Sequence, residues 1–230
     1  MGLEIEMLSY TQRCVTLANS IAASIVKGGR LMINLREYLA SKLCEIITTW
    51  NESGIYAISF LVYTNETYVY NGHSNVAEFS ISYNTETDCE NQSGASSEER
   101  WNYAFWRQNE TYLIEADADN EGMKVLFDWY EENGIDNIGY EDSSTCYDEK
   151  MRYIGKGPAG LYELLQEIAA AARTLQNSGF IQRKFGRPIP IIIHDLEYSW
   201  YMIDATKAAN ANGEATEFFA AMKELGIIDS

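Results

Sequence analysis

Three short stretches of this 230-residue chain carry residue types at spacings that chemistry could use. The first is His194-Asp195, which closes an apolar run and is followed by Glu197 and Asp204. An imidazole beside carboxylates is common equipment for general acid–base catalysis. A small-molecule-binding or hydrolytic pocket near His194, Asp195 and Glu197 is therefore one expectation. A metal-dependent phosphohydrolase would need further histidines, and His73 is the only other one. Metal sites usually combine several His, Cys or carboxylate ligands, so no metal is assigned. Asp195 equally suits the cap of a following helix, and His194 a buried structural role.

The second stretch, Gly155-Lys156-Gly157-Pro158-Ala159-Gly160, spells the dinucleotide-binding fingerprint and opens a helix, where backbone N–H groups could hold a phosphate. Its context is wrong: Met151-Arg152-Tyr153-Ile154 is a poor strand, and no second strand ending in an acid follows ~20 residues on. A turn leading into a proline-started helix is the simpler reading, and no cofactor is expected. The third stretch, Asp117-x-Asp119-x-Glu121-Gly122 with Asp128 beyond it, imitates a calcium loop. Lys124 stands where such loops carry an apolar anchor, so helix capping by Asp117 or Asp119 is preferred, with Asn120 the alternative cap beside Asp119. There is no nucleophile elbow and no Cys-His-Asn arrangement, and no catalytic residue is assigned.

The elements that must position these residues read as follows. Apolar stripes at Cys14, Leu17, Ala18, Ile21 and Ile25, and again at Leu35, Leu39, Leu43, Ile46, Ile47 and Trp50, predict a helical hairpin broken at Gly28-Gly29. Ile55 to Tyr63 is a buried strand, Asn65-Glu66 a turn, and Val76 to Tyr83 an alternating strand with Phe79, Ile81 and Tyr83 on one face. Polar connections, expected to be mobile, span 84–98 and 134–156. Between them a helix carries Val125, Leu126, Trp129 and Tyr130 and stops at Asn133-Gly134. Leu161, Leu164, Leu165, Ile168, Ala172 and Leu175 give a long amphipathic helix with Pro158 in its first turn. Ile189 to His194 is a second central strand, and helices follow around 198–209 and 215–225. The sum is one α+β domain, a mostly antiparallel sheet with helices packed on one face. A mixed three-layer α/β arrangement is the alternative.

Charge narrows the function. Thirty-four acids against 17 bases leave a net −17, which disfavours nucleic acid and membrane surfaces as partners. The acidity is local: residues 84–150 hold 18 acids and 4 bases, whereas each flank is close to neutral. Aromatic residues interleave with these carboxylates. Glu98, Glu99, Glu131 and Glu132 could steer a basic protein partner, with Trp101, Trp106 and Trp129 as anchors. The same residues could equally form a solvated face that keeps the chain in solution. Cys14, Cys44, Cys89 and Cys146 form no paired motif and read as reduced thiols. With no signal-peptide pattern and no apolar run long enough to span a bilayer, a cytoplasmic protein is expected.

The sequence also resembles a family. The strand Gly54-Ile55-Tyr56-Ala57-Ile58-Ser59-Phe60, the Arg100-Trp101 segment, the helix end Asn177-Ser178-Gly179-Phe180, the strand Ile191-Ile192-Ile193-His194-Asp195, and Asn210 and Phe218 in the terminal helices are similar to the bacterial domain of unknown function 4303. The resemblance spans about residues 5 to 225 and is least at 84–98 and 134–156. It implies a bacterial protein without an assigned activity, similar in size and acidity to proteins that neutralise polymorphic toxins. An immunity-type role, masking a basic toxin domain, is the function it implies, and it carries over no catalytic residue.

Overall fold

A computed structural model describes residues 26–27, 30–31, 34–89, 96–117 and 119–228. The expected helix over Cys14 to Ile25 lies outside the described residues. Two-residue strands β1 (Val26–Lys27) and β2 (Arg30–Leu31) pair antiparallel ahead of helix α1 (Leu35–Thr49). Asn34 caps α1 by accepting from the Arg36 N–H at 3.0 Å. The helix buries Leu35, Tyr38, Leu39, Leu43 and Ile47, the stripe that its sequence period requires.

The hairpin that follows is longer than the sequence suggested. Strand β3 runs Ile55–Tyr70 and β4 runs His73–Thr85. The chain does not turn at Asn65-Glu66; it stays in the strand, with the pairing register shifting between Asn65 and Val69. The reversal comes at Asn71-Gly72, with φ of 50° and 82°. Two positive φ values are what a tight two-residue hairpin demands, and Asn-Gly meets that demand at the least cost. Strand β5 (Thr111–Ile114) pairs antiparallel with β4, and β6 (Ile191–His194) pairs parallel with β3, giving the order β5-β4-β3-β6.

Helices cover both faces of this sheet rather than one. Ile58, Phe60 and Val62 of β3, Phe79 and Ile81 of β4, and Ile191 and Ile193 of β6 face a large core. That core is built with α1, α3 (Glu121–Asn133), α4 (Leu161–Asn177) and α6 (Trp200–Ala209). On the opposite face Ala57, Leu61 and Ile192 meet Trp101 from the short helix α2 (Glu98–Trp101), Ile203 of α6, and Phe218, Ala221 and Met222 of α7 (Thr216–Glu224). The reason is in the strands: Leu61 and Ile192 place apolar surface on that face, and it has to be buried. Helix α5 (Phe180–Phe185) follows α4 after Gly179, which lies at φ 70°. Pro158 stands ahead of α4, not within its first turn; the helix begins after Gly160, whose N–H donates to the Glu163 carboxylate.

Strand β6 leaves its outer edge open, and α6 closes it with side chains. Thr206 Oγ1 accepts from the Ile193 N–H at 2.9 Å and donates to the Ile193 carbonyl at 3.0 Å. One turn later Asn210 Oδ1 accepts from the Ile191 N–H at 3.0 Å, and its Nδ2 donates to the Ile191 carbonyl at 2.7 Å. Gln176 of α4 donates to both Asn210 Oδ1 and the Ile189 carbonyl. The side chains of a helix thereby stand in for a neighbouring strand. No helix among the described residues is long and apolar enough to cross a membrane.

Asn210→Ala should destabilise the fold by about 2–4 kcal/mol, from two orphaned backbone groups at roughly 1–3 kcal/mol each. Ile168, fully buried on α4, should cost about 2–4 kcal/mol on truncation to Ala through lost transfer energy and a cavity. Urea denaturation checks both, and an unshifted midpoint for Asn210→Ala would contradict the edge-closing role.

Candidate functional site

The residues with chemical potential collect on the second face of the sheet. Strand alternation puts Glu78, Ser80, Ser82 and Asn84 of β4 on that side, and their partners in register on β3 are Tyr63, Leu61, Ser59 and Ala57. His194 of β6 pairs with Leu61 and so shares the face. Such a polar row normally faces water, but Glu78, Ser59, Ser80, Ser82, Asn84 and His194 are all buried. The cover comes from α2 and the loop after it. The rings of Tyr103, Trp106 and Tyr198 stand 4.7, 6.3 and 5.9 Å from the His194 imidazole.

Backbone carbonyls and two arginines hold that cover down. The Arg100 carbonyl accepts from the Tyr56 hydroxyl at 2.6 Å and from Trp106 Nε1 at 2.9 Å, and the Trp101 carbonyl accepts from the Tyr198 hydroxyl. Arg100 stacks on the Tyr56 ring at 3.9 Å and grips Glu86 with two hydrogen bonds, which hold that carboxyl below its usual range. Arg107 bridges Glu52 at 2.5 Å and Asp88 at 2.9 Å, and its hydrogen bond is the main reason the Glu52 carboxyl is lowered. Cys89 donates to the Tyr56 hydroxyl, and burial raises its thiol pKa, so it packs as a thiol and not as a reactive thiolate.

Within this layer Ser59 Oγ and His194 Nε2 are 2.8 Å apart, the contact that a hydroxyl nucleophile and its base would make. Two features separate the pair from catalysis. Neither residue is exposed to solvent, and no carboxylate orients the imidazole, because His194 Nδ1 has no hydrogen-bond partner among the described residues. Asp195 is engaged elsewhere, accepting from Ser199 Oγ at 2.5 Å and from the Glu197 N–H at 3.2 Å, and thus holding the turn into α6. Glu197 is exposed and lines a groove of about 170 Å³ with Leu196 and Tyr198, which His194 does not line. The three residues of the expected pocket therefore do not converge.

The other motifs resolve into local structure. In the Gly155 to Gly160 loop the N–H groups that a phosphate would need are taken: Gly157 donates to the Tyr153 hydroxyl, and Gly160 donates to Glu163, whose carboxylate would repel an anion. At the calcium-like stretch Asn120, the alternative to Asp119 as cap, caps α3 by accepting from the Met123 N–H at 2.8 Å. The Asp117 carboxylate accepts from the Asp119 N–H, and Glu121 reaches Lys42. Gly122 is required for packing, since a Cβ there would lie 1.8 Å from the Leu113 carbonyl oxygen. No group of three or more His, Cys, Asp or Glu able to share a metal ion occurs among the described residues.

The proposed partner-binding residues divide between the two sides of the sheet. Trp101 and Trp106 are 1% and 4% exposed, so their rings belong to the second core and are not surface anchors. Glu98 and Glu99 sit beside them on α2. Trp129 packs half-buried against the first core, and Glu131 and Glu132 are exposed at the end of α3, on the other side. The polar row of β4 went unread in the sequence because alternate polar residues ordinarily mark a solvated face. Its signal was the aromatic density of residues 101–106, more than a mobile loop needs. No family model, curated protein or solved structure matches this chain.

Burial drives the His194 pKa from 6.5 down to about 3, so the folded chain holds a neutral imidazole. The unfolded chain takes up that proton first, and stability is full above pH ~6.5 and falls by up to ~1.4 kcal/mol per unit towards pH 3. The lowered carboxyls of Glu52 and Glu86 contribute mainly below their ordinary value of 4.5. Between pH 6.5 and 5, urea titrations of His194→Gln should therefore show a flatter pH dependence than the wild type. Identical slopes would place the proton uptake elsewhere.

Proposed function

We propose that this chain is a partner-binding protein of the immunity type, which docks a basic protein domain on the surface formed by the end of α3 and residues 136–154. The observation that carries the reading is the mixture of side chains there. Tyr140, Tyr147, Met151 and Ile154 are 65, 50, 77 and 53% exposed, and they alternate with Glu141, Asp142, Asp148 and Glu149. Large apolar groups supply anchors for an interface, and carboxylates supply long-range attraction to a basic partner.

Local energetics agree with that assignment. Glu131 and Glu132 lie in the last turn of α3, which has no basic residue and where the helix dipole already presents its negative end. Neither forms an ion pair among the described residues, nor do Asp136, Asp142 and Glu149, so these charges are available to a partner. Met151 holds a left-handed backbone at φ 58°, which costs a non-glycine residue about 1–2 kcal/mol. The segment is nevertheless tied in place. The Ile154 N–H donates to the Cys146 carbonyl at 2.8 Å, Arg152 pairs with Asp148 at 2.7 Å, and Tyr140 and Ala159 share a hydrogen bond at 2.9 Å. A surface already ordered loses little entropy on binding.

Reversing Glu131 and Glu132 to Lys should slow association with a basic partner recovered from the native host and flatten its salt dependence. The same reversal at Glu98 and Glu99, across the sheet, should leave the rate nearly unchanged. Tyr147→Ala or Met151→Ala should instead raise the dissociation rate. Folding should shift by no more than about 0.5 kcal/mol for each exposed change. Association at the wild-type rate in the Glu131/Glu132 variant would remove the docking reading.

A further inference from the structure

Between α6 and α7 lies a groove of about 730 Å³, within the range of small-molecule sites. Its apolar lining includes Ile203, Phe219 and Ile227, with the half-exposed Trp200 at its wall. The smaller 170 Å³ groove shares Tyr198 and Ile227 with it and continues the apolar surface through Leu196 and Leu225. Leu196, Trp200, Leu225 and Ile227 are all exposed, so this furrow gathers much of the open apolar surface outside the acidic segment.

Charge is arranged along the furrow with one polarity. Lys207 and Lys223 line only the larger groove, and Glu98 and Glu197 line only the smaller. Asp204 is neutralised by Lys207 at 3.3 Å, while Lys223 has no carboxylate partner among the described residues. In a chain of net charge −17, an unpaired ammonium beside apolar surface is a specific attraction for an anion. The field of the whole chain opposes multiply charged anions, so the fit is to a single negative head whose binding is driven by its apolar body.

We infer that the α6–α7 furrow binds an amphiphilic monocarboxylate. The head lies against Lys223, and the hydrocarbon body runs along Ile203, Phe219 and Ile227 towards Leu225. The acids at the far end fix this orientation by repelling the head. None of these residues belongs to the acidic surface of 131–154, so the two proposals stand or fall separately.

Decanoate, kept below micelle formation, should titrate the full chain as one saturable site by calorimetry and perturb Trp200 fluorescence. Decanol should bind more weakly, and decyltrimethylammonium should not compete with decanoate for the site. Lys223→Gln should lower decanoate affinity about fivefold and leave decanol unchanged, in keeping with loss of one exposed charge contact. Ile227→Asp should abolish both. Both positions are at the surface, and an unchanged melting temperature confirms that each variant folds. Absence of saturable decanoate binding, or equal affinities for decanoate and decanol that Lys223→Gln does not alter, would overturn the inference.

Discussion

The architecture depends on how one short parallel strand disposes of its backbone. β6 enters the sheet beside β3 and has no strand among the described residues on its other side, so the N–H and carbonyl groups of Ile191 and Ile193 point into the protein with no ladder to receive them. Each buried group left in that state costs free energy comparable to the hydrogen bonds that stabilise the sheet. Thr206 and Asn210, one helical turn apart, match the two-residue repeat of the strand and satisfy four backbone atoms. The match sets the height and angle of α6 against the sheet, and Gln176 couples α4 to the same point. It also removes β6 as a template for strand addition.

From the placement of α6 the two faces of the sheet diverge. One is uniformly apolar and takes α1, α3 and α4. The other carries a polar column on β4 and His194 on β6, and becomes tolerable only because aromatic rings and two arginine bridges enclose it. Burying polar groups is costly unless they are hydrogen-bonded, and most of these are; His194 Nδ1 and Ser80 Oγ are the exceptions. The geometry yields a neutral imidazole buried among aromatic rings.

Elements whose causes are local could be read from the sequence. The stripe of α4, the start of β3 and the stop at Asn133-Gly134 depend on period and on a left-handed glycine, and they stand where the residues indicate, with Gly134 at φ 64°. The hairpin turn was equally local but was misplaced, since Asn71-Gly72 carries the two-residue signature and Asn65-Glu66 does not. What escaped has its cause in another element of the fold. Trp101 is buried because Phe218, more than a hundred residues on, packs at 5.6 Å, and Asn210 matters because of a strand that precedes its own helix. Gly122 looked like part of a cation loop until β5 passed beside it.

Amide hydrogen exchange at Ile191 and Ile193 tests the edge closure most directly, because their N–H groups are received by side chains and not by a strand. Protection close to that of Ile58, whose N–H is bonded within the sheet to the Pro190 carbonyl, is the result this account requires. Exchange of both amides at the rate of a solvent-facing edge, with Ile58 still protected, would contradict it.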